Sequence, residues 1–353
     1  MAVRRARRLL IVAASLVGVS VVVWAVPPLR ARAKALGVIA EASGISFPRP
    51  WARSVEVHTT ELAPGLVGDM YVGSDDAPVI LFVPGAALRG REDPRVVSAA
   101  TALAKGNRRV FVPELELYDR TFRRSDIDRL ARAMELLSED GPIGIVGFSY
   151  GGSFSLIAAS QTGNAADISF IATFGAYFDL GNLIQAVTTG STLLEGEQVA
   201  FETIPEARTI LTRAAIRLAA DRYADDLEAA IESEDPSRLS PDAKTIYDLL
   251  VTRDPARTEQ LVAALPDDFS ATLEDFSPSN FVERLEAPVF IMQSRKDAAT
   301  PWTEAVLLAD ALPRSRVVTL EHFSHVDPPG IGGWATDGPK AWWFVSWILE
   351  AQE

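Results

Sequence analysis

The sequence predicts an α/β fold: a mostly parallel central sheet flanked by helices on both faces, interrupted once by a long helical insertion. Two observations carry this. Short apolar runs of strand length alternate with segments whose apolar residues recur every three or four positions, the pattern of strands joined by right-handed helical crossovers. The alternation breaks between about residues 180 and 276, a stretch rich in Ala, Glu, Asp and Leu. The composition agrees. With 353 residues, 48% hydrophobic, 23% charged and no cysteine, the chain can build a large core and is neither a disordered nor a disulfide-stapled protein.

The N-terminal head differs from the rest. Residues 1–35 hold seven bases (Arg4, Arg5, Arg7, Arg8, Arg30, Arg32 and Lys34) and no acid, leaving 27 bases against 47 acids, a net −20, for the remainder. Such an acidic body lacks the clustered Lys and Arg that phosphate contacts need, which argues against nucleic acid as a partner. Residues 9–26 form an uncharged run that as a helix would reach about 27 Å, enough for a bilayer core with some thinning. A cleaved signal peptide has a shorter apolar region ending at a small-x-small site, so this run reads as an uncleaved signal anchor within an N-terminal segment 1–35. The arginines before it favour a cytoplasmic N-terminus, a single pass and a body on the extracytoplasmic side. Residues 36–53 read as a linker, and with Pro27, Pro28, Pro48 and Pro50 the whole stretch 27–52 reads as a stalk. It leads into a domain over 54–353.

Within that domain Leu66–Val72 and Val79–Val83 are apolar runs bounded by Gly, Asp and Pro, hence strands. Asp93 as N-cap and Pro94 at the first helical position open a helix with apolar Val96, Ala99, Ala100 and Leu103, which stops at Gly106. Residues 110–113 form a short strand. Ser125 and Asp126 start a helix whose Ile127, Leu130, Met134 and Leu137 share one face. Residues 143–146 are a fully apolar strand with a helix, 153–160, directly behind it, and Ile168–Phe174 is the next strand. Helical periodicity fills the insertion at 205–220, 223–232, 240–251 and 258–265, with no strand pattern. Alternation then resumes with strands at 288–292 and 316–320. A terminal helix at 340–350 carries Trp342, Trp343 and Trp347, whose aromatic bulk suits packing on the sheet.

One motif stands out: Gly147-Phe148-Ser149-Tyr150-Gly151, a G-x-S-x-G placed directly after an apolar strand and before a helix. So tight a turn needs small residues two positions either side of the serine, and it lifts Ser149 above the sheet. A serine hydroxyl needs a base to take its proton and an acid to orient that base. The chain has His58, His322 and His325. His58 precedes the first core strand, far from the strand ends, whereas His322 and His325 follow the last strand. Asp297 follows the strand before it. Ser149, Asp297 and a histidine thus stand in nucleophile, acid, base order. No cysteine is present and the histidine pair has no further ligands nearby, so no metal is expected. No Gly-rich phosphate loop follows the first strand, so no cofactor is expected either.

On these residues the chain resembles the α/β-hydrolase superfamily over about 54–350. Gly147 to Gly151 is similar to its nucleophile elbow, Arg295-Lys296-Asp297 with Thr300-Pro301 to its acid segment, and Phe323-Ser324-His325-Val326-Asp327-Pro328 to its histidine loop. The resemblance selects His325 over His322. It implies a lid in the insertion and an oxyanion hole made by the backbone N–H groups of Ala86 and Tyr150. It also implies a serine esterase or lipase-like hydrolase acting on a small acyl or lipid ester. Pro84-Gly85 and Gln293-Ser294 stand where family members carry His-Gly. The alternatives are a peptidase or thioesterase of the same fold, or a non-catalytic binding protein built on it.

Overall fold

The computed structural model describes residues 26–42, 54–325 and 330–353. The expected membrane span, about 9–26, lies outside the described residues apart from Val26, as do 43–53 and the end of the histidine loop, 326–329. Among the described residues no helix is long and apolar enough to cross a membrane.

In chain order the elements are α1 (Pro27–Ala42), β1 (Glu56–Ala63), β2 (Leu66–Val72), β3 (Val79–Val83), α2 (Pro94–Lys105), β4 (Arg109–Pro113), α3 (Arg124–Leu137), β5 (Ile143–Phe148), α4 (Tyr150–Gln161) and β6 (Ile168–Phe174). The insertion follows as α5 (Leu180–Thr189), β7 (Ser191–Leu194), β8 (Glu197–Ala200), α6 (Pro205–Leu218), α7 (Asp221–Ser233), α8 (Pro241–Val251), α9 (Pro255–Ala263) and α10 (Asp267–Asp275). The core closes with β9 (Val289–Ser294), α11 (Trp302–Ala311), β10 (Ser315–Leu320) and α12 (Ile331–Glu350).

The main sheet has eight strands in the order β1-β2-β4-β3-β5-β6-β9-β10. Only the β1/β2 and β2/β4 pairs are antiparallel. The central strands β3 and β9 are buried along their whole length, as expected of parallel strands covered on both faces. One face packs against α3, α4, α11 and the insertion, the other against α1, α2 and α12. Every parallel strand therefore delivers its C-terminal end to the same rim, the place where loops of an open α/β sheet meet a ligand.

Three expectations are corrected. The supposed stalk is, over Pro27–Ala42, a helix whose Ala31, Ala35 and Val38 form a buried stripe at three- and four-residue steps. Prolines suit the first turn of a helix, where the missing N–H has no intrahelical partner anyway, so Pro27 and Pro28 start α1 rather than stiffen a linker. Its bases tie it to the C-terminus: Arg30 and Lys34 pair with Glu353 and Arg32 with Glu350, while the Trp342 indole donates to the Arg32 carbonyl. Second, the insertion contains a strand pair. β7 and β8 form a hairpin closed by Glu195 and Gly196, both with positive φ (51° and 82°), the two-residue turn that matches strand twist. Third, residues 56–59, read only as preceding the first core strand, belong to an edge strand of their own, β1, with His58 exposed on it.

Candidate active site

The nucleophile elbow is a consequence of packing. Ser149 has φ 51° and ψ −133°, a backbone conformation that costs an L-residue about 1–3 kcal/mol. It is held by the Ser149 N–H, which donates to the Phe174 carbonyl at the end of β6 (2.8 Å). The flanking glycines are required because backbone lies where side chains would go. A Cβ on Gly147 would stand 2.5 Å from the Gly152 Cα, and one on Gly151 only 2.2 Å from the Pro84 carbonyl oxygen. The elbow is thereby pressed onto the loop after β3.

That loop backs directly onto the serine: a Cβ on Gly85 would lie 2.7 Å from the Ser149 Cβ. The Ala87 N–H donates to the Gly85 carbonyl (2.7 Å), curling the chain tightly around Ala86. Tyr150 is the first residue of α4, so its N–H belongs to the helix's unbonded first turn. Its ring is buried edge-on against Phe122 and Tyr177, with centroids 4.8 and 5.8 Å away, and burial pushes its phenol well above the usual range. Ala86 and Tyr150 therefore flank Ser149 on the β3 and helix sides.

Asp297 and His325 are brought together. His325 Nδ1 lies 2.8 Å from Asp297 Oδ2, and the Asp297 carboxylate has no solvent exposure. Its other oxygen, Oδ1, accepts the N–H groups of Ala299 and Thr300, both at 2.8 Å. The acid is thus fixed by its own loop before it meets the ring. His322 goes elsewhere: its Nδ1 is 3.7 Å from Asp337 Oδ2 and its side chain is 39% exposed. His325 also has positive φ (56°) and stands against Gly175, where a Cβ would come within 2.9 Å of the imidazole Cε1. Gly175 follows Phe174, the residue that accepts the Ser149 N–H. One turn at the end of β6 therefore touches the serine's backbone and the histidine's ring.

Gln293 and Ser294, the residues that stand where family members carry His-Gly, hold the acid loop in place. Gln293 Nε2 donates to Asp297 Oδ2 (3.0 Å) and to the Thr300 carbonyl (2.9 Å), and Ser294 Oγ donates to the Phe323 carbonyl (2.6 Å). The first holds the acid, the second holds the strand carrying it to the histidine loop. The departure from His-Gly at these positions was their signal.

Glu304, on α11 just beyond the acid loop, carries no local signal in the sequence. It is fully buried, its Oε2 accepts the N–H groups of Phe178 (2.8 Å) and Asp179 (2.9 Å), and its Oε1 has no partner. Burial, reinforced by the charge of Asp179 and opposed by those two N–H groups, pushes its carboxyl up to about 7. A carboxyl raised on folding favours the native state below its unfolded value and loses that advantage as pH rises through 7. Relative to Glu304→Gln, the wild type should lose on the order of 3 kcal/mol of stability between about pH 4.5 and 8. Urea unfolding of both proteins across that range measures it, and parallel pH curves would refute it.

A serine on a strand-to-helix elbow, a histidine on a buried carboxylate and a parallel sheet that gathers them at one rim define a hydrolase of the α/β class. The sequence model of the alpha/beta hydrolase family matches residues 80–331, and the chain belongs to that family. No curated protein matches it in sequence. Among solved structures it is similar to Lip1 from Acinetobacter baumannii AYE (16% identity, 90% of this chain and 96% of that one, TM-score 0.48). It is also similar to an alpha/beta hydrolase superfamily protein from Enterococcus faecalis (16%, 84% and 100%, TM-score 0.48) and to an esterase from Pyrococcus furiosus (11%, 87% and 95%, TM-score 0.45).

Proposed function

We propose that the protein is a serine esterase that cleaves carboxylic esters through an acyl-enzyme. Ser149 Oγ attacks the acyl carbon while its proton passes to His325 Nε2. The oxyanion is held by the N–H groups of Ala86 and Tyr150. The C–O bond to the alcohol then breaks, and the leaving oxygen takes the proton from His325. Water, deprotonated by the same imidazole, attacks the acyl-Ser149 ester, and the proton returns to Ser149 as the acid departs. Asp297 keeps Nδ1 of His325 protonated so that Nε2 is free to accept, and it offsets the imidazolium charge. The helical insertion acts as a lid whose apolar faces receive the acyl chain.

The observation that supports this best is the 2.8 Å contact between His325 Nδ1 and the buried Asp297 carboxylate, beside the turn that accepts the Ser149 N–H. A binding protein has no use for a buried acid that orients a histidine. The test is a panel of p-nitrophenyl esters of increasing acyl length. Saturable hydrolysis with an optimum in chain length is expected, an optimum among long chains pointing to lipid esters. Turnover of aminoacyl amides alone would replace esterase by peptidase, and turnover of neither would remove the enzymatic reading.

A further inference from the structure

Helix α6 places Arg213 and Arg217 four residues apart on one exposed face, an arrangement in which like charges repel. Opposite them lies the turn after β4, residues 119–121. There Arg120 takes a left-handed conformation (φ 60°), a conformation that costs a non-glycine residue and is kept only where the surroundings impose it. Its Nε is buried without a hydrogen-bond partner, while its Nη2 donates to Glu206 on α6 (2.7 Å). Arg120, Arg213 and Arg217 all line a cavity of about 290 Å³ between the core and the insertion.

The lining itself holds one more cation than acids, Glu206 lying outside it beside Arg120. Asp119 and Glu228 are the acids in the wall, against three arginines. Glu228 stands 3.6 Å from Arg217 with both side chains about half exposed, and Glu206 is more exposed still, so each pair is worth at most about 1 kcal/mol and exchanges readily. Among the described residues Arg213 makes no ion pair or side-chain hydrogen bond. A body with 47 acids and 27 bases beyond residue 35 has acidic partners to spare, yet three arginines share this one concavity. An oxyanion relieves that repulsion and supplies an acceptor to the Arg213 guanidinium, in the planar geometry for which guanidinium is suited.

We propose that this cavity is a binding site for a phosphate or carboxylate group, bridging the turn after β4 to helices α6 and α7 of the insertion. The space admits one such group and several waters, each taking about 30 Å³. It also lies close to the elbow: Thr121, in the cavity wall, precedes Phe122, whose ring packs on Tyr150 beside Ser149. The anion is carried either by the substrate or by a separate small molecule.

The test uses inorganic phosphate and the full-length protein. At constant ionic strength, phosphate should raise Tm above the value in chloride, and calorimetry should return a Kd that weakens about tenfold or more in Arg213→Ala and is largely restored in Arg213→Lys. Equal Kd values for wild type and Arg213→Ala, or no difference between phosphate and chloride, would overturn the proposal. Kinetics distinguish the two sources. If phosphate raises KM for a p-nitrophenyl half-ester of succinate but not for p-nitrophenyl butyrate, the site holds the anionic end of the substrate. If it alters both alike, the site takes a separate ligand. Because phosphate binding is read without turnover, failure of the esterase reading would leave this result standing.

Discussion

Replacing Ser149 by Ala should lower kcat for ester hydrolysis by at least about 10⁴-fold, leaving only the catalysis that binding and the oxyanion donors supply. The reason lies in where the elbow puts the hydroxyl. Ser149 sits at the summit of a turn that exists because Gly147 and Gly151 let backbone approach backbone, and the serine side chain takes no part in that contact. The backbone anchor, the Ser149 N–H on the Phe174 carbonyl, survives the substitution. Alanine should therefore keep the fold, and circular dichroism and Tm close to wild type would show that the lost rate is chemical. Retained turnover in Ser149→Ala would mean that another group is the nucleophile.

Asp297→Asn should cost about 10⁴-fold in kcat with a much smaller change in KM. Both carboxylate oxygens are committed as acceptors. Oδ1 receives two backbone N–H groups, and Oδ2 receives the Gln293 amide while facing His325 Nδ1. An asparagine that keeps its oxygen on the backbone pair must turn its NH₂ towards Gln293 and His325. That sets donor against donor at Gln293 and makes Nδ1 the acceptor, so the proton moves to Nε2, the atom that must take the proton of Ser149. The reversed amide leaves two backbone N–H groups facing an NH₂, which is worse. Steady-state kinetics over a pH series, with unfolding measured alongside, check this. A wild-type kcat would show that Asp297 does not govern the tautomer.

The elbow is legible in the sequence because all it needs is local: an apolar strand, five residues and a helix within about 20 positions. The acid and base are legible for a different reason. A parallel sheet brings every strand's C-terminal end to one rim, so residues just past β9 and β10 must lie near Ser149 although far away in sequence. What escapes such reading are contacts with no local signature. Glu304 caps backbone 125 residues earlier, and Gly175 matters only because the His325 ring rests on it. The hairpin of β7 and β8 has four-residue strands, too short for a period of two to declare itself. Helix α1 was misread because proline marks a helix start and a stalk alike, and its partners Glu350 and Glu353 lie over 300 residues away. The choice of His325 over His322 rested on the likeness of its loop. In the structure it is Asp297 that stands against His325, while His322 faces Asp337.

The central claim is that Ser149 is an activated nucleophile, and covalent trapping tests it most directly. Treatment of the full-length protein with a fluorophosphonate probe, followed by mass spectrometry of the digested chain, should find one adduct, on Ser149. An adduct on any other residue, or none under conditions in which esters are hydrolysed, would contradict it.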